Sequence, residues 1–201
     1  MAYTLVEHRH RFAAWAAGRA SVAKGHRFTV EDGRRLLEIT DIPEYAADMG
    51  NTPSEPDEFD SLHRKWRKDI IEEAKLKLVG GRENCVTHGV AAKLINVYLK
   101  AALVIVAPTL EGCARAKNVH PPVDKLLLMS LANHTKPASS NRKRSANRWR
   151  KYASIGWSNF DSEKYEEVIS EIRNFSNGKP LWSIEEHWIG FQGMLPDPES
   201  E

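Results

Sequence analysis

Cysteine is almost missing from this chain: Cys85 and Cys113 are the only two in 201 residues. Two thiols build no disulfide framework, and without a second pair at ligand spacing they build no zinc motif. A reducing, cytoplasmic setting is the expectation. Long apolar runs are missing too. None reaches the roughly 18 residues that a membrane-crossing helix needs, and the nearest, from Leu94 to Ala107, is broken by Lys100. The N-terminal MAYTLVEHRHRF lacks a basic stretch followed by an apolar one, so it does not read as a secretory signal. HExxH, GxSxG, the Walker A loop and GxGxxG are all absent. The eight histidines make no ligand pattern; His8 and His10, two apart, would point away from each other on a helix. Strand-like alternation and internal repeats are lacking. The expectation is a protein with no metal, no cofactor and no membrane partner.

What the chain does have is segregated charge. The net charge of +2 hides it. Residues 2–30 carry five cations and one acid, and residues 31–60 carry ten acids and two cations. Residues 125–160 carry eight cations and no acid, and the last 41 residues carry ten acids and three cations. Local patches therefore matter more than the overall balance. An apolar share of 41% fits a soluble globular chain. The expected organisation is a single helical domain over residues 1–201, with a frayed tail at 195–201.

Helical spacing recurs along the chain. Thr4 is placed to cap a first helix whose apolar positions are Leu5, Phe12, Trp15, Ala16 and Val22. Thr29 and Asp32 resemble a capping box before Val30, Leu36, Leu37 and Ile39. Residues 41–53 read mostly as loop. Pro56 opens a long helix with Phe59, Leu62, Trp66, Ile70, Ala74 and Leu78 on one face, ended by Gly80-Gly81. Asp161 or Ser162 starts a further helix, and Pro180 opens a last one.

The stretch THGVAAKLINVYLKAALVIVAPTLEGCARAKNVHPPVD, residues 87–124, is the centre of this pattern. Behind a Thr87 cap it is apolar on nearly every side, which marks a buried helix. Its polar exceptions, Lys93, Asn96 and Lys100, share a stripe that faces either solvent or a cleft. Two prolines then force extended backbone up to Asp124, which stands where a helix N-cap belongs. The predicted fold class is all-α: a compact multi-helix bundle around a buried central helix.

Two features carry possible chemistry. A lysine whose ammonium is desolvated loses its proton more easily and becomes a nucleophile, and a nearby carboxylate can stabilise developing positive charge or move a proton. Lys93 and Asp124 are the pair placed for this. The second feature is KPASSNRKRSANRWRK, residues 136–151. Arg142, Lys143, Arg144, Arg148, Arg150 and Lys151 suit phosphate contacts, and Trp149 suits stacking on an exposed base.

The residues GVAAK, 89–93, followed by a long helix and by Pro122-Val123-Asp124, resemble the helix-hairpin-helix DNA glycosylase superfamily, most closely its 8-oxoguanine glycosylase branch. The resemblance covers about residues 87–131. It implies a glycosylase-like helical fold, Lys93 as nucleophile and Asp124 as its assistant. It further implies that the turn at Thr87, His88 and Gly89 binds a DNA phosphate through its backbone. The functional expectation is a DNA-binding protein that removes a damaged base. The alternative is a non-catalytic helical module that binds nucleic acid, or one that binds other proteins and pairs its acidic and basic segments internally.

Overall fold

The computed structural model describes residues 3–22, 29–47, 55–107, 114–135 and 140–190, without the side chains of 114, 115 and 140–143. All regular structure among them is helical, as expected. No helix among these residues is long and apolar enough to cross a membrane.

Helix α1 (Leu5–Ala20) begins where Thr4 accepts a hydrogen bond from the Glu7 amide. Its buried face differs from the one its large residues suggest. Ala13, Ala14, Ala17 and Gly18 are buried, whereas Leu5, Phe12 and Trp15 are exposed. The reason is close packing: an added Cβ on Gly18 would lie 3.0 Å from the Val30 backbone. Small residues let α1 approach α2 (Val30–Glu38), which starts with the full Thr29–Asp32 capping box. On α2, Leu36 and Leu37 are buried but Ile39 is half exposed. The stretch read as loop contains a short helix, α3 (Ile42–Ala47), with Ile42 and Tyr45 in the core; residues 48–54 lie outside the described set.

Helix α4 (Pro56–Lys77) buries Phe59, Trp66, Ile70 and Ala74, the expected stripe, and ends at Gly80 and Gly81, both at positive φ. Helix α5 (His88–Leu99) is the buried central element, capped by Thr87. A π-helical turn from Lys100 to Val104 continues it, closed by the Ile105 amide on the Lys100 carbonyl. The extra residue in that turn directs Ala102, Leu103 and Val104 inward and leaves Ile105 exposed. After α6 (Ala114–Asn118), the Pro121-Pro122 step leads into α7 (Lys125–His134).

From Ser140 onward the basic segment is helical, as α8 (Ser140–Ile155). A 3-10 turn (Trp157–Asn159) follows, then α9 (Ser162–Ser176), capped by Asp161. The closing segment Leu181–His187 is 3-10 rather than α-helical.

Two hydrophobic clusters result. One joins α1 through α6, and the other joins α7, α8, α9 and the closing segment. Ala92 of α5 belongs to the second cluster, and Trp157 packs against both. Lys93 of α5 and the Trp157 ring it faces lie at this seam.

Candidate active site

Lys93 and Asp124 meet. The lysine Nζ stands 3.6 Å from Asp124 Oδ2, and the side chains are 11% and 17% exposed. Each is fixed from another direction. Asp124 caps α7 by accepting the Leu127 amide on Oδ1 at 2.9 Å, and its Oδ2 accepts from Trp188 Nε1 at 3.2 Å. The capping role and the pairing with Lys93 therefore coexist, one on each oxygen. Trp188 is held in turn by Gly190, where an added Cβ would fall 2.4 Å from its indole.

Lys93 Nζ lies over the Trp157 ring, 4.3 Å from the centroid. Burial pushes its ammonium below the ordinary lysine range, and Asp124 opposes that shift. At 3.6 Å the carboxylate is beyond a direct hydrogen bond, so the amine is attracted without being tied.

The glycine of the GVAAK motif explains how Trp157 arrives there. An added Cβ on Gly89 would come within 1.8 Å of the Trp157 carbonyl oxygen. Only hydrogen at that position lets the 157–160 segment lie against the start of α5. Positions 89 and 93 share a helix face, so the segment pressed on Gly89 delivers its indole to Lys93. The same contact occupies part of the turn expected to bind phosphate. The Gly89 amide donates to the Phe160 carbonyl at 3.0 Å, the Val90 amide to Thr87 Oγ1, and the Ala91 amide to the Thr87 carbonyl. The Thr87 hydroxyl donates to the Ser158 carbonyl, and His88 is partly buried beside Arg67. Those three amides keep no free hydrogen for a DNA phosphate.

Lys93 and Asp124 open together into a cavity of about 420 Å³. Its walls include Phe12, Val97, Ala101, Ile105, Pro122 and Trp188. A second ion pair lines it: the Lys100 amine contacts Glu185. Burial raises the Glu185 carboxyl above its ordinary range, Lys100 opposes that, and Asp124 adds to it. Of the polar stripe on α5, Lys93 and Lys100 thus face the cavity.

Asn96, between them, does not. It is fully buried and anchors a hydrogen-bond network of its own. Its Nδ2 donates to the Pro121 carbonyl and to the Tyr165 hydroxyl, both at 2.9 Å, and its Oδ1 faces His63 Nε2 at 2.9 Å. Since Asn96 fills the Tyr165 acceptor site, the Tyr165 hydroxyl donates to His120 Nδ1 at 3.0 Å. His120 Nε2 then donates to Asp60 at 2.8 Å, and Asp60 also takes both guanidinium hydrogens of Arg173. Burial holds both histidines below the ordinary histidine range, in the neutral form. Nearby, Glu166 receives Arg64 and Arg67, and Arg64 in particular lowers its carboxyl to about 2.

The basic helix divides as well. Trp149 is 1% exposed and packed in the second cluster, so it cannot serve as a stacking platform for bases. Its period on α8 matches the buried Ala146 and Ala153. Arg148 pairs with Glu171. Arg144, Arg150 and Lys151 are exposed and form no ion pair among the described residues. The side chains of Arg142 and Lys143 lie outside the described set, as does Lys136.

Sequence reasoning had missed Trp157, Trp188, Lys100 and Glu185 as members of the site. The glycine four residues before Lys93 was the available signal for Trp157. Nothing local signalled Glu185, which reaches the cavity through tertiary packing alone. Comparison with models of known families, with curated proteins and with solved structures finds no match to this chain.

Proposed function

We propose that this cavity is the reaction centre of a DNA-directed base-excision enzyme, with Lys93 as nucleophile and Asp124 as its carboxylate partner. One observation carries the reading: a desolvated lysine and a carboxylate, 31 positions apart in sequence, converge at 3.6 Å inside one cavity large enough for a nucleoside. Neutral Lys93 attacks the sugar C1′. The bond from C1′ to the base breaks, its electron pair leaves with the base, and the base takes up a proton. Asp124 stabilises the cationic sugar and accepts a proton from the lysine nitrogen. Opening of the sugar ring leaves an imine between C1′ and Nζ. The Trp157 face holds the amine in position before attack, and apolar walls keep it desolvated.

Borohydride reduces such an imine to a stable amine. Incubation with duplex DNA carrying an abasic site, then borohydride, is expected to give a covalent protein–DNA adduct. Lys93→Ala abolishes it, and Asp124→Asn lowers its rate by about 100-fold or more. Absence of adduct on abasic DNA and on every duplex with a damaged base overturns the reading.

A second reading is favoured by the occupied amides of residues 89–91 and by the burial of Trp149. In that reading the exposed cations of α8 hold nucleic acid without chemistry. It predicts salt-dependent binding that survives Lys93→Ala and yields no adduct.

A further inference from the structure

Lys100 and Glu185 have no part in the attack just described, yet they stand in the same cavity. Their pairing is costly, because two charges lose hydration on entering a largely apolar space. Packing alone does not require it: the surrounding positions are Ala16, Ala20, Val97, Ala101 and Ile105. The helix is also irregular at this point. The π-helical turn begins at Lys100 itself, and such turns are frequent at functional sites.

Position and chemistry define what fits. Lys93 and Lys100 are seven residues apart, about 10 Å along the helix axis. Subtracting a contact of about 3 Å at each end leaves the width of a ring system. The walls between are flat or small, with the rings of Phe12 and Trp188 available for stacking. At the far end an ammonium donor touches a carboxylate acceptor. A ligand edge that satisfies both offers an acceptor next to a donor.

We propose that Lys100 and Glu185 read the edge of a planar heterocyclic amide: the lysine donates to a ring carbonyl and the glutamate accepts from the adjoining ring N–H. This assignment rests on the reading of the cavity as the place where a base is held. It names the substrate class as bases bearing a C=O beside an N–H, such as hypoxanthine and uracil, and disfavours rings methylated at that nitrogen. The carboxylate would be left facing a methyl group, and a buried acceptor without a donor costs at least a factor of ten in binding.

The test uses the full chain and two ligand pairs: hypoxanthine against 1-methylhypoxanthine, and uridine against 3-methyluridine, whose N1 is blocked by the sugar, by calorimetric titration. The wild type is expected to prefer each unmethylated ring by about tenfold or more. Glu185→Leu should abolish the preference, Lys100→Met should weaken binding of all four ligands alike, and Lys100→Arg should restore part of that affinity; circular dichroism checks the fold of each. Equal affinity for both members of each pair, no binding of any of the four, or a preference untouched by folded Glu185→Leu, overturns the proposal. Abasic DNA separates this from the earlier reading, since it presents no base. Adduct formation there without ring preference sinks the reading pair alone. Ring preference without adduct sinks the nucleophile and leaves a base-binding cavity.

Discussion

Lys93 and Asn96 are one turn apart on α5, yet they serve opposite ends. Asn96 is saturated: three hydrogen bonds of 2.9 Å tie it to His63, Pro121 and Tyr165, and no part of it meets solvent. Lys93 is held by a ring face and by a carboxylate 3.6 Å away, with a cavity in front of it. Short, complete networks fix a core and resist change. Loose pairs at a cavity keep a group available, at some cost in stability. Neighbouring positions on one helix therefore differ: Asn96 is tied into the network with α4 and α9, and Lys93 faces the cavity.

The sharpest way to break this contrast is to remove Lys93. Lys93→Met is expected to reduce the trapped adduct by about 10³-fold or more. Its stability in urea should stay level or rise by about 1 kcal/mol, because a desolvated ammonium is replaced by an apolar chain. A large loss of stability would place Lys93 with the structural groups instead. Asn96→Ala should do the reverse. It orphans the His63 N–H and the Pro121 carbonyl and leaves a void, so the urea midpoint should report a loss of roughly 3 kcal/mol. Adduct formation per folded molecule should change little.

Gly89→Ala probes the joint between the two regions. The methyl group cannot coexist with the Trp157 carbonyl, so the 157–160 segment must move, at about 2 kcal/mol. Trp157 then leaves the Lys93 amine, and adduct formation should fall with stability. An effect confined to DNA affinity would instead return Gly89 to a phosphate-binding role.

Acid separates the regions next. His63 and His120 are neutral when folded, with pKa values held down by burial, while unfolded histidine titrates near 6.5. The unfolded chain therefore binds more protons below pH 6.5. Stability should be full above that value and fall as the pH drops, by about 1.4 kcal/mol per unit for each histidine. His88 and His187 are also held low and add to the slope. His63→Gln should flatten the decline by one histidine's share in urea titrations between pH 7.5 and 5.5. Glu166, lowered to about 2 mainly by Arg64, works with the opposite group type: its contribution is present above the ordinary carboxylate range and is lost only as pH falls toward 2.

How much of this was legible in the sequence follows from range. Caps and periodic faces are local, so Thr4, Thr29, Thr87, Asp124 and the α4 stripe were readable. On α1 the periodicity misled, because large residues score high while Ala13, Ala17 and Gly18 make the actual contact. The Lys93–Asp124 convergence was suggested by a resemblance, and only tertiary structure supplies the distance. The π-helical turn has no residue signature, so Lys100 could not be assigned a direction. Glu185 lies 85 positions from its partner, and no local rule links them. Gly89 entered through the resemblance, and the close approach of the chain's own backbone to it is visible only in the tertiary structure.

The smallest expected effects lie on α8, where the comparison becomes one of paired against unpaired cations. Arg148 is committed to Glu171, whereas Arg150 and Lys151 are exposed and form no ion pair among the described residues. If this helix meets phosphate, Arg150→Ala and Lys151→Ala should each weaken binding to duplex DNA by a few fold and reduce the salt slope by about 0.9. Arg148→Ala releases an acid as well as removing a cation. It should therefore cost a little stability, about 0.5 kcal/mol for a surface pair, and Glu171 left unpaired should repel phosphate nearby. Glu171→Gln is the discriminating change. It frees Arg148 while removing the acid, so DNA binding should tighten at low salt and the slope should steepen. An unchanged slope in all four variants would show that α8 does not face the nucleic acid.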